Sequence, residues 1–265
     1  MPAPRTPDAL SDAARMAKRR SILSLRRIAL SAAVLLRGRH RAAAWTAHEL
    51  LRLGPTLWRN SDWHGPIARI LPTQNPEVWL TIDDGPNPET TPQLLALLAA
   101  AGARASFFVI GKHVDAHRGL CRRILADGHT LENHTYSHLP GLFWALPGCI
   151  IRDEILRCNH SIRVATGTRP TWFRSPAGLT NACVHPAAAA SWLRVAGWSA
   201  AGRDGLPGAD PQKVAARIAR DLRPGAIVLL HDGNGARSAE TLRLVLAEIA
   251  ARGLHTALPN ITPKK

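Results

Sequence analysis

The chain has 265 residues, enough for one large domain with an appendage, and an apolar content of 46% excludes disorder throughout. Its formal net charge of +15 is uneven: residues 1–60 carry twelve Lys and Arg against three acids, or +9, which leaves +6 for the other 205 residues. The surplus belongs to one segment, and the lack of any aromatic-interleaved basic run or nucleic-acid motif argues against nucleic acid as its partner.

Residues 1–60 read as a basic, partly helical arm. The apolar run Ile28 to Leu36 is nine residues long, whereas a spanning helix needs about 20, so it does not cross a membrane. "KRRSILS", Lys18 to Ser24, loosely resembles a twin-arginine export signal. Arg26 and Arg27 interrupt that segment, however, and Arg37, Arg39 and Arg41 stand where a small-residue cleavage region would be. The arm therefore fits an anionic membrane surface better than export. Cys121, Cys149, Cys158 and Cys183 have no CxxC spacing and read as thiols of a reducing compartment. The cytoplasm or the inner-membrane periphery is thus the expected location, ahead of an exported one.

After a lead-in at 61–76, residues 77–258 alternate β-rich runs with helical ones, followed by a tail at 259–265. The expected strands are 78–82, 105–109, 129–133, 171–174, 195–199, 226–231 and 255–258. Apolar-periodic segments separate them: "TPQLLALLAAAG", "GLCRRILADG", "IIRDEILRCNHSIRVATG", "DPQKVAARIARDL" and "SAETLRLVLAEIAARG". The weakest helix lies between the fourth and fifth strands. Such βα units predict an α/β fold that closes into a distorted seven-stranded (β/α) barrel, with an open doubly wound sheet as the alternative.

Polar residues cluster where these strands end. Asp83 and Asp84 in "TIDDGP" follow the first, His134 and His138 in "HTYSH" the third, Arg174 in "FRSPAG" the fourth, Asp204 the fifth and His231 in "LLHDG" the sixth. In a parallel barrel these points share the C-terminal mouth, where active sites are built. Two imidazoles spaced i, i+4, as on one side of a helical turn, with one carboxylate make a three-ligand set that leaves positions open for water and substrate. Side chains of adjacent residues at a strand end diverge, so one aspartate can reach a cation while its neighbour takes a proton from water. Arg174 can hold a carboxylate in a fixed fork, and His231 can protonate a leaving amine if Asp204 keeps it charged. Phe143 and Trp144 in "HLPGLFWALPG" offer rings either to the core or to a sugar.

The ordered series "TIDDGPNPETTPQLL", "ASFFVIG", "GHTLENHTYSH", "EI" at Glu154, "FRSPAG", "GWS" and "PGAIVLLHDG" resembles the polysaccharide deacetylases of the NodB-homology type, carbohydrate esterase family 4. That resemblance implies hydrolysis of N-acetyl groups on an amino-sugar glycan or glycolipid by metal-activated water. Asp83 would be the general base. Asp84, His134 and His138 would hold a divalent metal, Zn2+ first, with Co2+, Mn2+ or Ni2+ as alternatives. Arg174 would orient Asp83, His231 would be the general acid, Asp204 would tune it, and the Ala177 N–H would hold the oxyanion. Three departures stand out: Ile82 for the usual Phe, Ala177 for the usual Tyr, and "AAGRDGL" around Asp204 without the usual Asp-x-x-Asp-Trp. The competing readings are hydrolysis of another non-peptide C–N bond, in a formamide or cyclic amide, and a non-catalytic sugar-binding relative.

Overall fold

The computed structural model describes residues 21, 22, 24–233 and 235–259. Most of "KRRSILS", the charges before it and the tail after residue 259 lie outside the described residues. The arm forms two helices, α1 at 24–35 and α2 at Gly38–Leu57.

The central strand is β1, Glu77–Asp83. On one side follow β2 (Ser106–Val109), β3 (Thr130–Asn133), β4 (Trp172–Phe173) and β5 (Arg194–Val195). On the other lie β7 (Ile227–His231) and then β6 (Ala200–Ala201), and every pairing in this order is parallel. A short β8, His255–Thr256, adds to the start of β1. The helices are α3 (Thr91–Ala100), α4 (Gly111–Ala116), α5 (Arg118–Ala126), α6 (Gly148–Thr166), α7 (Val184–Ala190), α8 (Pro211–Asp221) and α9 (Ala236–Ala251).

The order forces the sheet to curl. A flat seven-strand sheet would hold its outer strands about 29 Å apart, six spacings of roughly 4.8 Å. Yet the outer strands β5 and β6 are joined by residues 196–199 alone, and five extended steps reach at most about 18 Å. The result is a distorted barrel. Its opening is bridged by the lead-in: the Ala68 N–H donates to the Val195 carbonyl at 2.9 Å, and Leu71 N–H to the Gly225 carbonyl at 2.8 Å.

The lead-in also accounts for one departure from the sequence reading. Of the run 195–199, expected as one strand, only Val195 lies in β5, and 196–199 form the connection to β6. A side chain at Gly197 would meet Asn60 Oδ1 at 2.6 Å and Ile67 of the lead-in at 2.8 Å, so the backbone is wedged against the end of the arm and the lead-in there and turns away from the ladder.

Strand alternation divides the core in two. Val78, Leu80 and Ile82 of β1 face outward and pack with Phe107, Val228 and the apolar sides of α3, α8 and α9. Trp79, Phe108, Trp172 and Ile227 face inward, with Leu71 from the lead-in. The Trp79 indole N–H donates to Ser106 Oγ at 2.8 Å, which makes its complete burial tolerable. Above these rings the interior turns polar, with Thr81 and then Asp83 on the same face of β1.

Candidate active site and metal centre

Asp83 and His231 are register partners on the neighbouring strands β1 and β7, so both side chains project into the barrel at one level. Arg174, directly after β4, is 1% exposed and reaches across the interior. Its Nη1 donates to Asp83 Oδ1 at 2.6 Å and to Thr81 Oγ1 at 2.9 Å, and its Nη2 donates to the Gly197 carbonyl at 2.8 Å. The guanidinium lies 4.1 Å over the Phe108 ring. One oxygen of Asp83 is therefore locked, and the other lies 3.7 Å from His134 Nε2. Removing either partner would strand a buried charge at a cost of about 3–5 kcal/mol.

Asp84 follows with φ at 76°, a left-handed backbone that turns its carboxylate away from that of Asp83. Its Oδ1 lies 3.4 Å from His134 Nε2 and 3.3 Å from His138 Nε2. Two donors at a bond length of roughly 2.0–2.1 Å and a tetrahedral angle sit about 3.3 Å apart, so these spacings fit one small divalent ion. Asp84 Oδ1 is buried with no hydrogen-bond partner, as an oxygen reserved for a cation would be. His134 Nδ1–H donates to the Arg174 carbonyl at 2.8 Å, which leaves Nε2 free to ligate.

The electrostatics agree with this donor set. Burial, aided by the charge of His134, pushes His138 down to about 4, so it is neutral at pH 7. Burial opposes charge on His134, but Asp83 and Asp84 outweigh it and the net shift is upward. Burial likewise opposes ionisation of Asp84, and the neighbouring His134 imidazole overcomes it and holds the carboxylate well below its usual range. Holding an ion here would require His134 Nε2 to give up its proton.

"HTYSH" is not a helical turn. Residues 134–139 form a loop in which Thr135 and His138 adopt φ of 69° and 50°. Glu154 on α6 shapes it, accepting from the N–H groups of Tyr136 at 3.1 Å and Ser137 at 2.8 Å and from Ser137 Oγ at 2.8 Å. Asn133 braces its start, accepting from the Thr135 N–H at 2.8 Å. The two histidines meet through loop geometry rather than helical spacing.

Across the mouth, Asp204 Oδ1 lies 2.9 Å from His231 Nδ1, while its Oδ2 accepts from the His231 backbone N–H at 2.6 Å. Burial lowers the His231 pKa, but the bond to Asp204 reverses this and raises it to about 9. A Cβ at Gly205 would sit 3.2 Å from the imidazole, so the ring lies against bare backbone. Ala177 occupies a three-residue 3-10 turn, Pro176–Gly178, with φ at 54°. Its N–H is in the first turn, where no intrahelical acceptor exists. Gly178 rests on the Trp198 indole.

Other residues near the mouth lie outside the expected site set or have another role. Asp232 accepts from the hydroxyls of Thr90 and Thr91 and anchors the segment after Asp84. His113 on α4 donates to the Asp84 carbonyl at 3.0 Å. Phe143 is fully buried against Phe173, so it is a core residue and not a sugar platform.

Fold and donor set together define a distorted (β/α) barrel whose mouth carries one carboxylate and two imidazoles, a group that could hold a metal ion. Residues 71–196 match the family model described as polysaccharide deacetylase. Over 158 residues the chain is 40% identical to a chitooligosaccharide deacetylase of Bradyrhizobium sp. (strain ANU 289), spanning 59% of this chain and 70% of that protein. It is 31% identical over 193 residues to the peptidoglycan-N-acetylglucosamine deacetylase of Bacillus cereus, spanning 71% and 89%. A solved structure of a CE4 family pseudoenzyme from Bacillus anthracis is similar at TM-score 0.63 and 26% identity, over 69% of this chain and 63% of that one. The chain belongs to the polysaccharide deacetylase family and is a hydrolase of non-peptide carbon–nitrogen bonds.

Proposed function

We propose that this enzyme removes N-acetyl groups from an amino-sugar glycan or glycolipid precursor and releases acetate. The observation that carries this reading is the arrangement of Asp83, with one oxygen pinned by Arg174 and the other turned to the metal donors, in register with His231. The residue set suits Zn2+, with Co2+, Mn2+ or Ni2+ as alternatives, because imidazole and carboxylate accept all of these ions. When bound, the ion polarises the acetamide carbonyl and acidifies water.

Asp83 takes a proton from the attacking water as its oxygen bonds to the carbonyl carbon. The Ala177 N–H donates to the oxyanion that forms on the substrate. His231, kept protonated by Asp204, delivers a proton to the nitrogen as the C–N bond breaks, leaving acetate and a free amine. Arg174 keeps Asp83 correctly turned. A relative described as a pseudoenzyme warns that the fold alone does not guarantee turnover, so support for activity comes from the complete set of base, donors and acid in this chain.

The test is acetate release from N-acetylglucosamine oligomers, peptidoglycan and lipid-linked amino sugars, beside formamides and cyclic amides, with chelation and Asp83→Asn as controls. Acetate from at least one sugar, lost in both controls, is the expected result. Release from no sugar would sink the substrate class, and turnover surviving both controls would refute the mechanism.

A further inference from the structure

Away from the mouth, the surface that fits least with a solvated protein is that of α1 and α2. Of the eighteen large apolar side chains exposed among the described residues, ten lie between Leu25 and Trp58. The apolar run begun at Ile28 lies mainly on α1, where Ala33 is 2% exposed but Ile28, Val34 and Leu35 are 65%, 69% and 80% exposed. The helices touch each other, with His48 Nδ1 on α2 donating to the Arg26 carbonyl on α1 at 3.2 Å. That contact leaves Ile28, Val34 and Leu35 uncovered.

Charge frames this apolar strip. Arg26 and Arg27 precede it, and Arg37, Arg39 and Arg41, all exposed, follow it. Lys18, Arg19 and Arg20 lie upstream in the sequence, and Glu49 is the only acid between Asp12 and Asp62. Apolar side chains flanked by guanidinium groups match the boundary of an anionic bilayer, where the apolar groups enter the acyl region and the cations reach lipid phosphates. No described helix is long and apolar enough to cross a membrane, so the strip would lie on the surface. A second copy would bring the same positive segment against itself, and a nucleic acid would leave the apolar strip without a use.

The arm is also tied to the catalytic mouth. Asn60, just beyond α2, donates its N–H to the Gly178 carbonyl at 2.9 Å and its Nδ2–H to the Trp198 carbonyl at 3.2 Å. These are the turn that carries Ala177 and the indole beneath it.

We propose that α1 and α2 dock the enzyme on an anionic phospholipid surface and so hold the mouth near amino sugars displayed there. The docking stands on the arm's own surface, and only the displayed substrate rests on the function proposed above. The test is co-sedimentation of the full chain with vesicles of phosphatidylcholine alone or mixed with phosphatidylglycerol, at low and high salt. Salt-sensitive binding to the anionic vesicles only is expected. The combined Arg37→Gln, Arg39→Gln and Arg41→Gln variant should bind about 100-fold more weakly. The paired Val34→Ser and Leu35→Ser variant should bind about tenfold more weakly or worse.

Both variants should keep full activity on a soluble N-acetylglucosamine oligomer, which shows that they fold. Equal binding to neutral vesicles, binding unchanged in both variants, a dimer abolished by the Val34/Leu35 changes, or binding to duplex DNA without binding to vesicles would each overturn the proposal. Lipid binding without any sugar deacetylation would uphold the docking and refute the substrate reading alone.

Discussion

The two sides of the mouth are built differently. The proposed metal side gathers Asp84, His134 and His138 from two short segments. It is strained: Asp84, Thr135 and His138 all have positive φ, each at a cost on the order of 1–3 kcal/mol. Glu154, Asp232 and Asn133 hold that strain in place. The side proposed to donate the proton is one pair, Asp204 and His231, 27 positions apart and joined by two hydrogen bonds, with positive φ at the neighbouring Arg203. The family match ends at residue 196, so it covers the metal side and stops short of this pair. A metal site needs three donors at fixed separation, whereas a general acid needs only one orienting partner.

That contrast can be broken experimentally. His231→Asn should lower kcat by about 10²–10⁴-fold while metal content stays at wild type, because the acid is no ligand; loss of metal would merge the two sides. Asp204→Asn should lower kcat by about 100-fold and move the alkaline limb of the pH–rate profile. The His231 pKa is raised to about 9 from 6.5, so the stability this pair contributes is full below pH 6.5 and is lost as pH rises through about 9. Activity should fall over the same range, and in Asp204→Asn the fall should begin nearer 6.5. An unmoved limb would remove Asp204 from its role.

Smaller effects sharpen the comparison. Glu154→Gln should weaken metal binding by roughly 10–100-fold, read by calorimetry, with the alkaline limb unchanged. Gly205→Ala should displace the His231 ring by a few tenths of an ångström and cost about threefold in kcat with no change in metal affinity.

Much of this was legible in the sequence because its signals are local. β1, β2 and β7 are apolar runs punctuated by glycine, and Asp83, Asp84, His134 and His138 stand at strand ends. What escaped reading depends on distant contacts. The break at Gly197 comes from Asn60 and Ile67. The shape of the 134–138 loop comes from Glu154, many residues downstream, and no spacing rule announces a loop built by a remote carboxylate. α4 is too short, six residues, to show a period. For Phe143 the sequence favours the core over a sugar, and Phe173 and Ile151 enclose it there.

The division of labour between the adjacent aspartates is the claim on which the rest depends, and metal stoichiometry measured beside acetate release tests it most directly. Asp83→Asn should retain one metal per chain and lose turnover by about 10²–10⁴-fold, whereas Asp84→Ala should lose both metal and turnover. If both variants lost metal equally, or if Asp83→Asn kept wild-type turnover, the assignment of Asp83 as base and Asp84 as ligand would be wrong.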